Sequence, residues 1–415
     1  MTSVSAPEPQ PPARTFLCHW QQLNNWLADY RPLWQPVPFT EPEPDWKSGY
    51  PALWQWLDTL SDDACDGFEQ SLDQFARRVA AFEPGLGHYT ALVTVPELLP
   101  AGAGPQTALP ESRAVDMPGR KRLQAGAFTA AILPLEHPLL DWCCGKGHLA
   151  RTLACQGDVE VLGFEWNSAL VQDGNRLAGR YDDPVHLCRQ DVMSAQLGWP
   201  RQPRHGVALH ACGDLHRRLM QLSTEARAPR LSFSPCCYHQ TSQDRYRLMA
   251  HATGTDARAL ELDRSILRLA VQETVTAPAR ERRQGVRLRT WRLGFDALQR
   301  HLRGVDEYLP VPSHPPALNS GDFEGFCRWA AQRRHLVLPE GLHWPYWLKR
   351  GDERARQVRR HELLRHLFRR PLELWMVLDY AVFLEEQGYR VRLGTFCERQ
   401  LTPRNLLLDA VRRPA

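Results

Sequence analysis

The fold of this chain is decided by Pro138-Leu139-Leu140-Asp141-Trp142-Cys143-Cys144-Gly145-Lys146-Gly147-His148-Leu149-Ala150. A short apolar run ends in an aspartate, and a glycine-spaced turn then leads into a helical pattern. A second apolar run, residues 159–165, ends in Glu165, 18 residues after Gly147. This order of strand, tight loop, helix, strand and acid is typical of nucleoside-binding sheets, in which the acid accepts hydrogen bonds from ribose hydroxyls.

The same alternation of strand and helix continues over residues 120–240. A helix at 120–133 comes first, and the pattern then predicts strands at 139–142, 159–165, 185–191, 206–211 and 230–234 and helices at 148–156, 167–181 and 215–226. Strands that alternate with helices of this length form an open α/β sheet with right-handed crossovers. Its cofactor is expected at the carboxyl ends of the strands.

The end of the chain predicts the completion of this sheet. A helical pattern at 372–387 is followed by two apolar runs, 390–397 and 405–411, which a tight return connects. We interpret these runs as an antiparallel pair of strands that joins the same sheet. The predicted fold class is therefore α/β, a Rossmann-like seven-stranded sheet with a helical N-terminal domain and a helical insertion before the last two strands.

The segments outside the sheet are predicted to be helical or irregular. Residues 15–100 hold six tryptophans and helical patterns at 16–30, 50–60 and 63–81, which predicts a small domain with most indoles in its core. Base stacking by one or two of these indoles is the alternative. The predicted division is a disordered tail (1–14), a Trp-rich helical domain (15–100), a linker (101–119), the core (120–240), a basic insertion (241–370) and the completion of the core (371–415). Within the insertion, the pattern predicts helices at 243–252, 262–272, 295–302, 323–334 and 354–370.

Composition is that of an ordinary globular protein. Hydrophobic residues make up 43% of the sequence, and no run approaches the ~20 apolar residues of a membrane helix. The first 14 residues lack the apolar core of a signal peptide, so we expect a cytoplasmic protein without membrane contact. The 11 cysteines are odd in number and scattered, which favours reduced thiols over a disulfide framework.

Charge is unevenly distributed along the chain. The net charge is +4, whereas residues 241–370 hold 25 Arg and Lys against 15 Asp and Glu. One interpretation is a solvated helical face in an arginine-rich chain, because only four residues are lysine. The other is a basic surface for a polyanion such as RNA.

The predicted cofactor site lies at the ends of the first three strands. Gly145 and Gly147 let the backbone pass close to a nucleoside, with Asp141 at the start of the loop. Ala150 satisfies the last position of the dinucleotide fingerprint, so a dinucleotide cofactor stays open on this motif. Glu165 and the adjacent Trp166 end the second strand, and Asp191 and Val192 end the third, where an acid can accept a hydrogen bond from the adenine amine.

Candidate catalytic residues lie at the ends of the fourth and fifth strands. The segments 209–215 and 234–239 bring two histidines, three cysteines, an aspartate and a tyrosine to the same rim. His239 and His210 are candidates for a base or an orienting donor, since imidazole titrates near neutrality, and Cys236 is a third candidate. His210 is also predicted to contact the cofactor. No metal site is predicted, because neither segment has C-x2-C spacing and Cys236-Cys237 are adjacent.

These motifs resemble a known group of enzymes. The segment 141–149, Asp-Trp-Cys-Cys-Gly-Lys-Gly-His-Leu, resembles the first motif of the seven-strand S-adenosylmethionine-dependent methyltransferases. With Pro235-Cys236-Cys237-Tyr238-His239, the segment 207–215 resembles the methyltransferase-like family that includes the glutathione S-transferase C-terminal-domain-containing protein. Both, and the ending at 401–406, are also similar to the eukaryotic tRNA 2′-O-methyltransferase acting on the acceptor stem.

The resemblance covers residues 120–240 and 371–412. It implies S-adenosylmethionine as the cofactor, with Asp141, Gly145 and Gly147 around its methionine part, Glu165 on the ribose and Asp191 near the adenine. Together with the basic residues 241–370, it favours an RNA acceptor, tRNA or rRNA. No stable protein partner is implied.

Two departures from the related sequences leave the acceptor atom open. Leu209 stands where the tRNA enzyme has a lysine, and no N/D-P-P-Y/F motif follows the fourth strand. A protein or small-molecule acceptor, or a binding protein with a vestigial cofactor pocket, remain the alternatives.

Overall fold

The computed structural model describes residues 15–100, 103–272, 279–315, 318 and 321–414. The predicted disordered tail, residues 1–14, lies outside the described residues. Of the predicted linker, residues 103–119 are described. None of the helices in the described ranges is long and apolar enough to cross a membrane.

Seven strands form one sheet within the described residues. They are β1 (Leu139–Trp142), β2 (Val161–Glu165), β3 (Val185–Arg189), β4 (His205–Cys212), β5 (Arg230–Cys236), β6 (Tyr389–Thr395) and β7 (Leu406–Arg412). Their order across the sheet is β3-β2-β1-β4-β5-β7-β6. The first five strands are parallel to one another, and β7 is antiparallel to both β5 and β6. The predicted α/β fold and its completion by the last two strands are confirmed.

Helices connect and flank these strands. In the described residues they are α1 (Phe16–Asp29), α2 (Arg31–Trp34), α3 (Trp46–Gly49), α4 (Pro51–Asp58), α5 (Asp62–Gln70), α6 (Leu72–Val79), α7 (Tyr89–Val93), α8 (Ala103–Gln106), α9 (Gly119–Ile132), α10 (His148–Gly157), α11 (Ser168–Arg180), α12 (Asp214–Glu225), α13 (His251–Gly254), α14 (Arg264–Leu269), α15 (Ala279–Arg303), α16 (Phe323–Arg333), α17 (Trp344–His366) and α18 (Arg369–Glu386), with 3₁₀ turns at Pro84–His88 and Glu111–Arg113.

The chain divides into two compact units. Within the described ranges, the first contains the sheet and consists of residues 15–28, 92–100, 103–272 and 370–414, and the second consists of residues 29–91, 279–315, 318 and 321–369. In the first unit, apolar side chains of α9 and α10 pack on β1 and β7 to form a buried core around Phe128, Leu139 and Leu153.

The second unit differs from the predicted boundaries, because it combines most of the Trp-rich segment with most of the basic insertion. The rings of Trp54 and Trp46 lie 4.1 and 5.7 Å from the imidazole of His361 on α17. Arg359, on the same helix, forms ion pairs with Asp62, Asp66 and Glu69 of α5. The prediction that most indoles are core is confirmed, since five of the six are buried.

Most of α1 belongs instead to the unit that contains the sheet. The buried Asn24 side chain donates to the carbonyl of Arg258 at 2.9 Å, and its amide oxygen accepts from Trp375 Nε1 at 3.0 Å and from Leu260 N at 3.1 Å. Trp20 adds a ring contact with Trp375 at 5.7 Å. These contacts satisfy a buried amide and anchor the helix on α18.

The predicted helix at 243–252 is wrong. Residues 243–250 are irregular, and Arg245 forms an isolated antiparallel bridge with Asp263. The cause is the buried carboxylate of Asp379, which accepts hydrogen bonds from Met249 N at 2.9 Å, Ala250 N at 3.1 Å and Tyr246 Oη at 3.1 Å. These long-range bonds replace the bonds that a helix would make within the segment.

A buried carboxylate joins the three strands at one side of the sheet. Asp409 on β7 is 1% exposed and receives a bidentate bond from Arg230 of β5, at 2.8 and 3.1 Å, and a bond from Arg392 Nε of β6 at 3.0 Å. Ser232 Oγ donates to it at 2.7 Å. Although burial alone would raise the pKa of Asp409, the hydrogen bonds and charge of Arg230 hold this pKa below its ordinary value.

We expect Asp409→Asn to destabilise the fold by about 3–5 kcal/mol, because it leaves the buried Arg230 guanidinium without its counter-charge. Urea denaturation monitored by circular dichroism measures the loss. Asp244→Asn is the matched control, since Asp244 is exposed and should change stability by less than ~0.5 kcal/mol. Because the pKa of Asp409 is lowered in the folded protein, the stabilisation by its carboxylate is present above its ordinary pKa and is lost as the pH falls through the folded pKa. The free energies of unfolding of the two variants should therefore converge in acid. Equal stability of both variants at neutral pH would contradict the role of Asp409.

Candidate active site

The loop after β1 makes a cradle at the carboxyl edge of the sheet. Cys143, Gly145 and Gly147 have φ of 59, 57 and 68°, so the backbone is left-handed at three positions. A Cβ on Gly147 would lie 3.1 Å from the Leu187 side chain, whereas a Cβ on Gly145 would meet no atom within 4 Å. Gly145 therefore faces open space, as the backbone of a cofactor loop does.

Glu165 connects the end of β2 to this loop. Its carboxylate is buried and accepts from Gly145 N at 3.1 Å and from Asn167 N at 2.9 Å, one bond on each oxygen. Each carboxylate oxygen has two lone pairs, so both can accept a further hydrogen bond from a ribose hydroxyl. The predicted acid therefore holds the loop in place and keeps capacity for a ligand.

Asp141 lies under the loop. Its carboxylate is 2% exposed and accepts from Ala150 N, in the first turn of α10, at 3.1 Å. Burial raises the pKa of Asp141 to about 8. Burial also raises the pKa of the Cys143 thiol to about 12 and that of Cys144 further, so both thiols are protonated at neutral pH.

The third predicted corner lies at the end of β3. Asp191 is exposed and its carboxylate accepts from Met193 N at 2.9 Å, while Val192 is buried. Trp166, next to Glu165, is 72% exposed, and Met193 is exposed too. An exposed indole beside a buried acid is a surface on which a flat base can stack.

His210 lies in a β-bulge at the end of β4, where the register with β5 shifts between Leu209 and Cys212. Its φ is 68°, and its Nε2 lies 3.2 Å from Oε1 of Gln124, a residue of α9. Burial lowers the pKa of His210. The imidazole is thus held at the end of β4 by a neutral partner.

The other predicted catalytic residues lie among thiols. Cys236 is 2% exposed, and its Sγ is 3.5 Å from Sγ of Cys212. The side chains of Cys212, Cys236 and Cys237 form one group. His239 is half-buried, and its Nδ1 has no hydrogen-bond partner in the described part of the chain. This burial does not favour the predicted catalytic role of Cys236, and the three thiols are close together although no metal site was predicted there.

A pocket opens beside these strand ends. Its walls include Gly213, Asp214, Arg217 and Arg218 after β4, Tyr238, Tyr246 and Arg247 after β5, and Met193 after β3. The guanidinium of Arg217 lies over the rings of Tyr246 at 5.1 Å and Tyr380 at 5.8 Å. Its Nη2 donates to the carbonyl of Arg247 at 2.6 Å, and its Nη1 is buried without a hydrogen-bond partner in the described residues.

Sequence reasoning missed Arg217, Arg247 and Gln124. Arg217 lies one helical turn after Asp214, the first residue of α12, and therefore on the same face of that helix. The helical periodicity of this segment could have identified Arg217 from the sequence. Arg247 and Gln124 carry no such signal, because tertiary contacts of an irregular segment and of α9 bring them to the edge.

The comparisons with known proteins agree with this geometry. Residues 134–244, which span β1 to β5, match the family model described as a methyltransferase domain. No curated protein matches the chain.

Several solved structures are similar to this chain at low scores. The tRNA (uracil-54, C5)-methyltransferase of Pyrococcus abyssi, solved with S-adenosyl-L-homocysteine, has 17% identity over 28% of this chain and 29% of that chain, with a TM-score of 0.23. A 23S rRNA methyltransferase has 18% identity over 27% and 44%, with a TM-score of 0.23. The magnesium protoporphyrin IX methyltransferase from Synechocystis PCC 6803 has 12% identity over 94% and 100%, with a TM-score of 0.27. This chain spans less than half the length of the first two, and likeness at these scores carries no conclusion about the acceptor.

Residues 134–244 match a methyltransferase domain, and they lie in the Rossmann-like seven-stranded sheet. S-adenosylmethionine is the cofactor that the sequence resemblance implies. The residues present fit this cofactor, because Gly145 faces open space, Glu165 keeps lone pairs and Trp166 exposes its ring. The dinucleotide alternative suggested by Ala150 is not retained.

We expect Glu165→Gln to weaken S-adenosylhomocysteine binding by roughly 10- to 150-fold, the equivalent of about 1.5–3 kcal/mol for a hydrogen bond to a charged group. The glutamine amide has one acceptor oxygen where the carboxylate has two. Either the backbone N–H of the loop or the ribose hydroxyl therefore loses its hydrogen-bond acceptor. Isothermal titration calorimetry measures the affinity, with Glu225→Gln, an exposed residue at the end of α12, as the control. An unchanged affinity in Glu165→Gln would contradict this assignment.

Proposed function

We propose that this protein transfers a methyl group from S-adenosylmethionine to RNA, either tRNA or rRNA. The observation that carries the proposal is the pocket next to the cofactor edge, with Arg217, Arg218 and Arg247 in its walls. The resemblance of segments 207–215 and 401–406 to the tRNA 2′-O-methyltransferase supports the same acceptor class.

Arg217 supports an anionic ligand more strongly than an exposed arginine would. Arg217 lines the pocket, and the guanidinium group of arginine forms strong, charge-assisted hydrogen bonds with phosphate oxygens. The rings of Tyr246 and Tyr380 hold the guanidinium in place, so little side-chain entropy is lost when an anion binds. Arg218 and Arg247 add positive charge at the same opening.

The basic insertion contributes less to this proposal than its sequence indicated. Residues 274–369 hold 19 Arg and Lys against 10 Asp and Glu, but they share a unit with residues 29–91, which hold 4 against 11. Arg359, Arg289 and Arg300 are engaged in ion pairs within this unit. The unit as a whole is therefore close to neutral, and the argument for a polyanion rests on the pocket.

In the proposed cofactor site, Gly145 and Gly147 pass close to the methionine part, above Asp141. Glu165 accepts from the ribose hydroxyls, while Asp191, Val192 and Trp166 surround the adenine. The bound cofactor supplies a methyl group on a sulfonium, which an acceptor takes by in-line displacement. The chain's contribution is to hold acceptor and methyl group in this line.

We assign to His210 the orientation of the acceptor. Its imidazole is fixed from one side by Gln124 and lies at the end of β4, the strand next to β1. A neutral imidazole can donate or accept a hydrogen bond, so it can align a hydroxyl or an amine.

We expect His210→Asn to lower kcat by about 100-fold or more, while the affinity for S-adenosylhomocysteine stays within about 2-fold. Asparagine tolerates the left-handed backbone at this position, so the variant removes the imidazole without straining the bulge. Methylation of total RNA with a radiolabelled donor measures the rate, and His186→Asn on the exposed face of β3 is the control. A normal kcat would exclude His210 as the orienting residue.

We expect tRNA or rRNA binding to weaken steeply as salt is raised, because phosphate contacts release counterions. Arg247→Ala and Arg218→Ala should each weaken binding and reduce the slope of log K against log salt by about 1. Filter binding at several salt concentrations measures both, with Arg176→Ala, an exposed arginine of α11, as the control. Salt-independent binding, or equal slopes in all variants, would favour a protein or small-molecule acceptor instead.

Mass spectrometry of RNA nucleosides from cells with and without the gene tests the acceptor directly. A methylated nucleoside that is lost with the gene supports the proposal and identifies the acceptor atom. An unchanged nucleoside profile would contradict an RNA acceptor.

A further inference from the structure

Three cysteines from two strands meet at the edge of the sheet. Cys212, the last residue of β4, lies opposite Cys236, the last residue of β5, in the parallel ladder. Cys237 follows with a left-handed backbone, φ 48°, and its thiol joins the other two. All three Sγ atoms lie within 4.8 Å of one another, and those of Cys212 and Cys236 are 3.5 Å apart.

These separations are those of metal-bound thiolates. Zinc binds thiolate sulfur at about 2.3 Å in a tetrahedral arrangement, which puts two sulfur ligands about 3.8 Å apart. The observed distances, from 3.5 Å to at most 4.8 Å, bracket this value. A disulfide would need an S–S distance of about 2.0 Å and leaves the third thiol unexplained. Oxygen-preferring cations such as Mg²⁺ do not favour a set of sulfur ligands.

A candidate for the fourth ligand is close along the chain. His239 follows Cys237 by two residues, and its Nδ1 is buried without a hydrogen-bond partner in the described ranges. Its ring nitrogens do not belong to the group of three sulfurs, so ligation would require the imidazole to turn toward them. Imidazole nitrogen is the usual partner of thiolates in mixed zinc sites.

We propose that Cys212, Cys236, Cys237 and His239 bind a zinc ion at the ends of β4 and β5. In this arrangement Cys236 and His239 are metal ligands. Cys236 is then not a nucleophile, and His239 is not a base. The ion would fix the loop 236–241, which forms one wall of the arginine pocket through Tyr238 and Thr241. The proposal does not depend on the acceptor, because it concerns metal content alone.

Elemental analysis of the full-length protein, purified under reducing conditions without chelator, tests the site. We expect about one zinc ion per chain in the wild type and in Cys155→Ser, a control at an exposed thiol of α10. Cys212→Ser and Cys237→Ser should each lose most of the zinc. Zinc at background level in the wild type, or full occupancy in both serine variants, would overturn the proposal.

Cobalt substitution separates ligand loss from unfolding. The wild type loaded with Co²⁺ should show a thiolate-to-cobalt charge-transfer band, which Cys237→Ser weakens while its circular dichroism stays native. His239→Ala should keep the charge-transfer band, because the sulfur ligands remain, but change the d–d bands of the cobalt ion. A native wild type without a charge-transfer band, or a Cys212–Cys236 disulfide found by mass spectrometry in the protein as purified, would contradict the site.

Discussion

Parallel pairing of β1 with β4, and of β4 with β5, is the constraint on which the site depends. Carboxyl ends of adjacent parallel strands meet at one edge of a sheet, so Asp141, Cys212 and Cys236 are brought to the same edge from distant parts of the sequence. Because β7 is antiparallel, the turn before it lies at this edge as well, and Ser234 Oγ donates to the carbonyl of Arg404 at 3.1 Å. The buried carboxylate of Asp409 on β7 stabilises this arrangement, because it accepts hydrogen bonds from side chains of β5 and β6. These are the three strands at which the sheet changes from parallel to antiparallel.

The features that the sequence predicts are those that arise from local patterns. The loop around Gly145 and the acid Glu165 follow from strand, turn and helix periodicities within some 30 residues, and the structure places both at the carboxyl edge. The closing strands were predictable for the same reason, because each is a short apolar run beside a turn. The structure of segment 243–252 was not predictable in this way. Its helical pattern competes with backbone hydrogen bonds to Asp379, which is more than 120 residues away in the chain.

The thiol group shows why spacing within a segment is an incomplete guide to ligands. Cys236 and Cys237 are adjacent and Cys212 is alone, so no segment contains the C-x2-C pattern of a zinc site. The ladder between β4 and β5 supplies the missing proximity by pairing Cys212 with Cys236. The distribution of charge along the sequence is an incomplete guide for a similar reason. The basic residues 274–369 belong to one unit with the acidic residues 29–91, and a count of charged residues within either segment does not reveal this.

Gly213 connects the thiol group with the arginine pocket. It lies between Cys212 and Asp214, its N–H donates to the carbonyl of Cys236 at 3.0 Å, and a Cβ there would lie 1.8 Å from the carbonyl oxygen of Gln240. The two strand ends are thus joined backbone to backbone, without side chains between them. A zinc ion on the three sulfurs would therefore also restrain the first turn of α12, which carries Arg217 into the pocket. If both proposed ligands bind, we expect the affinity for the metal and the affinity for the acceptor to be linked through this short segment.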